Sequence, residues 1–488
     1  MPIKNYIVLA ILYFILTCFH IFASWNQSAA HVIPDEVSYL AQARYFSGKD
    51  IQPDTKKFLE QETIYSESTT VPSTENWHYY YFGYPLLVSP IYWLTDTPSA
   101  AYKGILVFNS FLLSSLFLIV FFWIRLIKAS KFHTATAIAF IVSIYPAYIL
   151  QAQTGWAENA IIPGFALCCL LFTHHLKAGS IASVALFSLT AGLQFTIHPR
   201  GLASTIAAIL CLTGLFLVRK DRWQLFTIGL SILIAIIITT KLVANEMALM
   251  MNTALQDRTI IESLSSVLEF ELLAAIIGNL LYLSLSTIGL FLCGISVGIR
   301  EIFSSKAQNI KTLVSNPNTG SFFFIFLSSC LTFILGVVFL GRNETWHETT
   351  QILDYFLYGR YNEAFLSIYI ALGLLGLSGL NERNLQNHSK QLNIAFWALA
   401  TISFSFFLYL IDYRYLRSIH SYGLFPWYFV SILIEGWYSN AIIFFAPLLW
   451  TWLILQMFLQ NIVKGLSLVG IYFFLLDISL IIYANHDL

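Results

Sequence analysis

Two adjacent acids, Asp35 and Glu36, are the side chains of this sequence best suited to chemistry. They follow Pro34 in the stretch HVIPDEVSYLAQARYFSG, which comes directly after the first long apolar run and continues in a helical pattern. A carboxylate at a membrane surface can act as a general base on an acceptor hydroxyl. The same residues also suit the first turn of an interfacial helix, where they face water and meet the positive end of its dipole. Both interpretations are open at this point.

An aromatic segment, WHYYYFGYPLLVSPIYW, lies at the end of the same loop. We predict that His78, Tyr81 and Tyr84 in this segment bind substrate, because aromatic rings stack on sugar rings. Glu158, in TGWAENAIIPGF at the expected outer end of a later helix, is predicted to join them. Aromatic belts at the interface between membrane and water have a similar composition.

Arginines are the candidate ligands for a phosphate group. Arg200 lies in FTIHPRGLA, and Arg360 lies beside Tyr361 in YGRYNE. A guanidinium group stays charged at an interface and binds phosphate through two hydrogen bonds. We therefore predict that Arg200, Arg360 and Tyr361 bind the phosphate of a donor. The alternative is that the arginines extend to lipid head groups, which is the interpretation favoured for Arg414 and Arg417.

A divalent metal ion is a further option for the acidic motif. His31, Asp35 and His78 together offer three ligands, but their spacing matches no recognised metal signature. Metal use is therefore left open, and no other cofactor is predicted.

The composition of the chain indicates a membrane protein, so transmembrane helices must position these residues. Of the 488 residues, 57% are hydrophobic and 11% are charged, with a mean hydropathy of +0.70. A soluble domain has about 25% charged residues. Apolar runs of about 18 residues recur along the chain, and helices satisfy their own backbone hydrogen bonds in lipid. Membrane lipids are therefore expected partners, and a nucleic acid is not.

The apolar runs predict an all-α bundle of about eleven to fourteen transmembrane helices in a single domain covering residues 1–488. A retained first helix covers 6–25, and 421–434 is an uncertain additional span. The short apolar stretch 85–94 is expected to be interfacial or re-entrant. The other predicted spans are 100–124, 132–150, 157–176, 181–198, 201–218, 223–243, 271–299, 319–340, 364–381, 392–411, 441–459 and 465–484.

The distribution of lysine and arginine predicts the orientation of the chain. Short basic loops alternate with long polar loops, and basic loops face the cytoplasm. The N-terminus is therefore expected to be cytoplasmic. The first external loop, 26–84, is expected to contain interfacial helices, and a late external loop covers 341–363. Two further loops, 244–270 and 412–440, fall on the same side. Polar loops on a rigid scaffold are common places for binding and catalysis, so the active site is expected to be external.

The order of these features resembles the GT-C superfamily of glycosyltransferases that use polyprenyl-phosphate sugars. The resemblance lies in IPDEVSY after the first span, the aromatic segment with Gly83 and Pro85, the acid in TGWAENAIIPGF, and the stretch DYFLYGRYNEAF. Protein O-mannosyltransferases and the lipid A aminoarabinose transferase belong to this superfamily. The resemblance implies a GT-C-type fold, with Asp35 as catalytic base or metal contact and Glu36 as its supporting acid. The aminoarabinose transferases have a lysine before the proline of the aromatic loop, whereas this chain has Phe82-Gly83-Tyr84-Pro85 there.

The resemblance implies transfer of a sugar from a polyprenyl-phosphate donor to a hydroxyl of a glycan, lipid or protein acceptor. A single displacement at the anomeric carbon would invert its configuration. The expected location is the inner (plasma) membrane of a bacterium, with the active site on the periplasmic side. Two alternatives are a glycan polymerase or ligase, and a transporter or flippase of lipid-linked glycans. The external acids favour transfer, because transporters place ionisable groups near the membrane midplane.

Overall fold

The computed structural model describes residues 1–25, 27, 34–50, 81–128, 130–219, 222–250, 270–304, 316–340, 359–379, 453, 457–458 and 461–487. Within these ranges the chain forms helices and short connections, with no strand. The principal helices in chain order are α1 (Ile3–Ala23), α2 (Pro34–Phe46), α3 (Gly83–Val88), α4 (Pro98–Ile127), α5 (Phe132–Ser143), α6 (Pro146–Gln151), α7 (Glu158–Ala178), α8 (Ile181–Ile197), α9 (Leu202–Val218), α10 (Trp223–Met250), α11 (Phe270–Ser286), α12 (Leu290–Ser304), α13 (Pro317–Leu340), α14 (Glu363–Gly379) and α15 (Ile462–Asp487). The all-α fold class is therefore confirmed.

Several of these helices have the length and composition of membrane spans. Six of them, among the residues described, are long and apolar enough to cross a membrane, and three shorter ones are also apolar. The helix α1 exposes large apolar side chains, including Ile3 at 79% and Phe14 at 66%. Contact of such an apolar surface with lipid is favourable, whereas its contact with water is unfavourable. The chain is a multi-pass membrane protein.

The chain divides into two compact units. The first comprises residues 1–119, 148–259 and 310–331, and the second comprises 120–147, 260–309 and 332–488. In the first unit, α8 packs against α7, α9 and α10, and α2 packs against α3. In the second, α12 packs against α14, and α5 contacts both α14 and α15.

Short turns make the helices α7 to α10 antiparallel neighbours. Gly179 ends α7 in the left-handed conformation, with φ +59°, and Ser180 caps α8 by exchanging hydrogen bonds with Ser183. A short 3₁₀ helix, Pro199–Gly201, connects α8 to α9. Glycine after a helix and serine before the next one are common signals for such a turn. The turn at Pro199–Gly201 and the first residue of α7 consequently lie at the same end of this group of helices.

Two predicted spans are wrong in their continuity. The span 132–150 is two helices, because α5 ends at Ser143 and Pro146 begins α6. A proline disfavours the helical conformation in the residue that precedes it. The span 271–299 is also divided, into α11 and α12, at a turn where Ile288 has φ +50° and Gly289 has φ +72°.

One predicted loop begins too early. The helix α10 continues to Met250, seven residues beyond the span predicted to end at residue 243. The added stretch ANEMALM is rich in residues of high helix propensity. The span 392–411, the stretch 421–434 and most of the span 441–459 lie outside the described residues.

The predicted first external loop, 26–84, contains the helix α2, and α3 begins at its end and continues into the stretch 85–94. The helix α3 begins at Gly83, which lies against Thr196 of α8. A Cβ atom at position 83 would come within 2.6 Å of the carbonyl carbon of Thr196. Only glycine allows this approach of the two backbones. The aromatic segment is thereby fixed against the same end of α8 that leads to Arg200.

Candidate active site

The acidic motif begins α2, and its two carboxylates have different surroundings. The side chain of Glu36 is 0% exposed, whereas Asp35 is partly exposed. Oε1 of Glu36 accepts a hydrogen bond of 2.8 Å from the hydroxyl of Tyr102 and another from the backbone N–H of Gly155. An acidic residue that only begins an interfacial helix would face water. Glu36 does not, because it is buried. Its position beside Asp35 fits the supporting role that the resemblance implies.

Glu36 joins three separate parts of the first unit. It lies on α2, Tyr102 lies on α4, and Gly155 is in the turn that precedes α7. A Cβ atom at position 155 would be 3.0 Å from the carboxylate oxygen, which is a tight contact. The donors are strongly oriented, because one is a backbone N–H and the other belongs to a side chain that is 4% exposed. The start of α2 is consequently held in place by the body of the unit.

Tyr84 forms the second layer of this cluster. Its side chain is 0% exposed and lies edge-on to Tyr39, with ring centroids 5.5 Å apart. The amide of Asn109 lies within hydrogen-bonding distance of the Tyr84 hydroxyl, and its Nδ2 donates to the carbonyl of Thr154 at 2.9 Å. Burial raises the pKa of Tyr84 well above its ordinary value, and the charge of Glu36 adds to this effect. Tyr84 is therefore a neutral, enclosed hydroxyl, and its contact with a substrate stays a prediction.

Glu158 and Arg200, which are 42 residues apart, form a buried ion pair. Glu158 is the first residue of α7, and Arg200 lies in the 3₁₀ helix after α8. Their side chains are 2% and 9% exposed. Nδ1 of His198 lies 3.1 Å from the backbone nitrogen of Arg200 and 3.2 Å from its Nε. The guanidinium group is thus oriented from two sides.

Tyr81 lies in an apolar cluster, and the side chain of a lysine lies next to its ring. Its ring is 4% exposed and packs edge-on against Phe195, with ring centroids 5.1 Å apart. The ammonium group of Lys241, on α10, lies 6.0 Å from the centroid of the Tyr81 ring. Cations over aromatic faces are attracted by the ring quadrupole. Lys241 was not among the predicted residues, although a lysine inside an apolar helix is a signal of function.

The second unit contains the other predicted phosphate ligands. Arg360 is 2% exposed and lies in the 3₁₀ helix Gly359–Tyr361. Glu363 is 0% exposed and accepts a hydrogen bond of 2.5 Å from the hydroxyl of Tyr282. Gly359 lies directly against the ring of Tyr282, where a side chain would overlap the ring. Nearby, the amide groups of Asn362 and Asn279 are 2.6 Å apart. Arg360 is therefore a buried cation within a short segment whose other residues make close polar contacts.

The remaining predicted ligands cannot be placed. His31, His78, Arg414 and Arg417 lie outside the described residues. Within the part of the chain that the structure describes, no group of three histidine, cysteine or acidic side chains is arranged to hold a metal ion. The metal option at Asp35 consequently stays open.

No protein-family model and no curated protein matches the chain by sequence. Comparison of structures finds matches that include two crystal structures of ArnT from Cupriavidus metallidurans. The one bound to undecaprenyl phosphate has 12% sequence identity and a TM-score of 0.51, over 98% of this chain and 77% of that chain. The apo structure has 12% identity and a TM-score of 0.47, over 97% of this chain and 76% of that chain.

At 12% identity, the likeness to the lipid-bound ArnT structure concerns the fold alone. It extends over almost the whole of this chain. ArnT is a lipid A aminoarabinose transferase of the GT-C type. The fold that the resemblance implied is therefore confirmed: this chain is an all-α, multi-pass membrane protein with a GT-C-type fold.

Proposed function

We propose that this protein transfers a sugar from a polyprenyl-phosphate donor to an acceptor hydroxyl. The observation that carries the proposal is the carboxylate pair at the start of α2, where Glu36 is buried and fixed and Asp35 is partly exposed beside it. The likeness of fold to ArnT, whose crystal structure contains undecaprenyl phosphate, supports a lipid-linked donor. The acceptor is a glycan, a lipid or a protein.

In the proposed reaction, Asp35 acts as the general base. It takes the proton of the acceptor hydroxyl while the hydroxyl oxygen forms a bond to the anomeric carbon of the sugar. The bond between that carbon and the phosphate oxygen breaks, and the phosphate leaves on the polyprenyl lipid. A single displacement of this kind inverts the anomeric centre. Glu36 positions the base through its own fixed hydrogen bonds.

Arg200 is the proposed phosphate ligand in the first unit. A fixed cation stabilises the charge that develops on the leaving oxygen without needing to reorganise. His198 and Glu158 hold the guanidinium in place, which supports such a role. Lys241, beside Tyr81, supplies a second positive charge near the aromatic segment. In the second unit, Arg360 stays a proposed donor ligand as a buried cation, and Tyr361 stays one as its neighbour in the same 3₁₀ helix.

The proposal is tested by following the bond between the sugar and the phosphate. Purified protein is incubated with a radiolabelled polyprenyl-phosphate sugar and an extract of membrane lipids and glycans. We expect release of polyprenyl phosphate and transfer of one labelled sugar to each acceptor. A transporter or flippase would move the donor across a bilayer and leave this bond intact. Products of increasing length would instead indicate a polymerase.

We further propose that the site faces the periplasm. A cysteine placed at Ser66, in the first loop and outside the described residues, is expected to react with a membrane-impermeant thiol reagent on intact cells. A matched cysteine at Lys128, an exposed residue at the end of α4 on the predicted cytoplasmic side, is expected to react only after permeabilisation. The unmodified chain controls for its own cysteines. Labelling of the two positions in the opposite order would overturn the orientation.

The assignment of Arg360 to the donor phosphate leads to a specific prediction. We expect Arg360→Ala to weaken binding of polyprenyl phosphate by about 1.5–3 kcal/mol, the range for a lost charge-assisted contact. Arg414→Ala, which removes a predicted head-group contact, is expected to cost about 0–1 kcal/mol. Affinities are measured by titrating the lipid into purified protein, beside a thermal-stability trace for each variant. Equal losses in two folded variants would remove the reason for assigning Arg360 to the donor.

A further inference from the structure

A cleft lies between α7, α9 and α10, at the end of these helices opposite to the candidate active site. The active-site end contains the first residue of α7 and the turn after α8, whereas the cleft is near the last residues of α7 and α9 and the first of α10. The helix α8 has 17 residues, so the two ends are separated by about 25 Å at 1.5 Å per residue. The cleft is therefore distinct from the active site.

The lining of the cleft combines cations with an apolar wall. Its cavity volume is about 30 Å³, and the space beyond it is open to the surroundings. Its polar residues are His175, Arg219 and Arg222, and its apolar residues are Leu176, Leu212, Leu215, Phe216, Leu225 and Phe226. No carboxylate is among the lining residues described. The local sequence Arg-Lys-Asp-Arg over 219–222 has three cations and one acid, of which Lys220 and Asp221 lie outside the described residues.

The polar side of the cleft is built from fixed parts. His175 is 5% exposed, and its Nδ1 is 3.0 Å from the hydroxyl of Ser183. The guanidinium of Arg222 lies directly over Gly179, where any side chain would overlap it. Gly179 already requires glycine for its φ of +59°. The turn between α7 and α8 thus leaves room for a guanidinium group at the rim of the cleft.

The apolar side of the cleft opens toward the lipid-facing surface. The rings of Phe216 and Phe226 are stacked, with centroids 4.7 Å apart and planes 23° apart, and they join α9 to α10. Their neighbours Leu217 and Trp223 are 61% and 55% exposed. An exposed tryptophan beside arginines at a helix end is typical of the membrane–water interface. A ligand of this cleft can therefore have both a charged group and a hydrocarbon part.

We propose that this cleft binds the phosphate head group of an anionic membrane lipid. Two guanidinium groups match a phosphate group in charge and in hydrogen-bond geometry. Basic pockets between transmembrane helices are known to take anionic lipid head groups. The glycerol and the first acyl carbons would lie along Phe216 and Phe226. The inference does not depend on the proposed transfer reaction, because it concerns the other end of the helices.

Two structural roles explain only part of this arrangement. A cation near the last turn of α7 interacts favourably with the helix dipole, which accounts for Arg222 over Gly179. Basic residues at cytoplasmic helix ends also orient the chain in the membrane. Neither role requires Arg219 to line the same cleft as a buried histidine and a stacked aromatic pair.

The test measures lipid binding directly. Purified protein in neutral detergent is titrated with dioctanoyl phosphatidic acid, and bound lipid is counted by native mass spectrometry. We expect the double variant Arg219→Gln with Arg222→Gln to bind about tenfold more weakly or worse, since it loses charge-assisted contacts. Arg300→Gln is the matched control, because Arg300 is an exposed arginine near the end of α12 that does not line the cleft. Dioctanoyl phosphatidylcholine is expected to bind weakly to all three proteins.

Any of the following results would contradict the proposal. Equal binding of phosphatidic acid by the double variant and the Arg300→Gln control would show that the cleft is not a lipid site. Displacement of the lipid by an equal concentration of inorganic phosphate would indicate a site for free anions instead. If the double variant does not fold, Arg219→Gln alone is used, because Arg222 is the arginine that lies over Gly179. Unchanged lipid binding in that folded variant would equally overturn the assignment.

Discussion

Replacing Asp35 by asparagine is expected to reduce sugar transfer about 10²–10⁴-fold, the usual contribution of a general base. Asparagine keeps the size of aspartate but cannot accept a proton at neutral pH. The protein is expected to fold and insert normally, because Asp35 is partly exposed. The measurement is the initial rate of transfer from a polyprenyl-phosphate sugar, beside a thermal-stability trace.

Two matched variants make this result specific to position 35. Asp50→Asn makes the same change just beyond α2, where Asp50 is paired with Arg44 at 2.7 Å, and is expected to leave transfer nearly unchanged. Glu36→Gln is expected to reduce transfer less than Asp35→Asn, because an amide oxygen can still accept from Tyr102 and Gly155. If the acids only stabilise the start of a helix, each change would cost about 1 kcal/mol of stability or less, with activity intact. Turnover near the wild-type rate in Asp35→Asn would refute the assignment of the base.

Replacing Arg200 by glutamine is expected to destabilise the protein strongly. It leaves the carboxylate of Glu158, which is 2% exposed, without its guanidinium partner. Breaking a buried ion pair from one side typically costs about 3–5 kcal/mol. Replacing both partners by neutral groups of similar size costs much less, because no buried charge is left behind. The double variant Glu158→Gln with Arg200→Gln should therefore recover most of the lost stability.

The same double variant separates a structural role of Arg200 from a role in donor binding. If Arg200 binds the donor phosphate, the double variant regains thermal stability but not affinity for polyprenyl phosphate. The two measurements are a melting curve and a titration with the lipid, made on the wild type, both single variants and the double variant. Recovery of stability and affinity together would show that the pair only supports the fold.

The long-range partners of the site explain what the sequence could not predict. The resemblance implied different roles for Asp35 and Glu36. The burial of Glu36, however, depends on Tyr102 and Gly155, which are 66 and 119 residues away. Contacts at such separations depend on how the helices pack, and hydropathy does not encode that packing. The pairing of Glu158 with Arg200 was missed for the same reason.

Local sequence signals explain why most predicted helices agree with the structure. They also differ in strength at the two places where a predicted span is divided. Hydropathy located the described apolar helices, because lipid requires long apolar helices, but it did not show where two of the predicted spans are divided. The break before Pro146 has a visible signal, since proline disfavours helix in the preceding residue. The break at Ile288 has a weaker one, because isoleucine rarely adopts φ +50° and only Gly289 hints at a turn. Tertiary packing evidently determines the conformation there.

The contact of Gly83 with Thr196 has a consequence for how such chains diverge. Selection is expected to keep glycine at position 83 for a steric reason, because any side chain there would overlap backbone atoms of α8. Gly298, with nothing within 4 Å of an added Cβ atom, is expected to drift freely. A fold held by a few close backbone approaches constrains few residue identities, so homologous chains can lose recognisable similarity while keeping their shape. Glycines at helix crossings should therefore outlast most of the apolar residues around them.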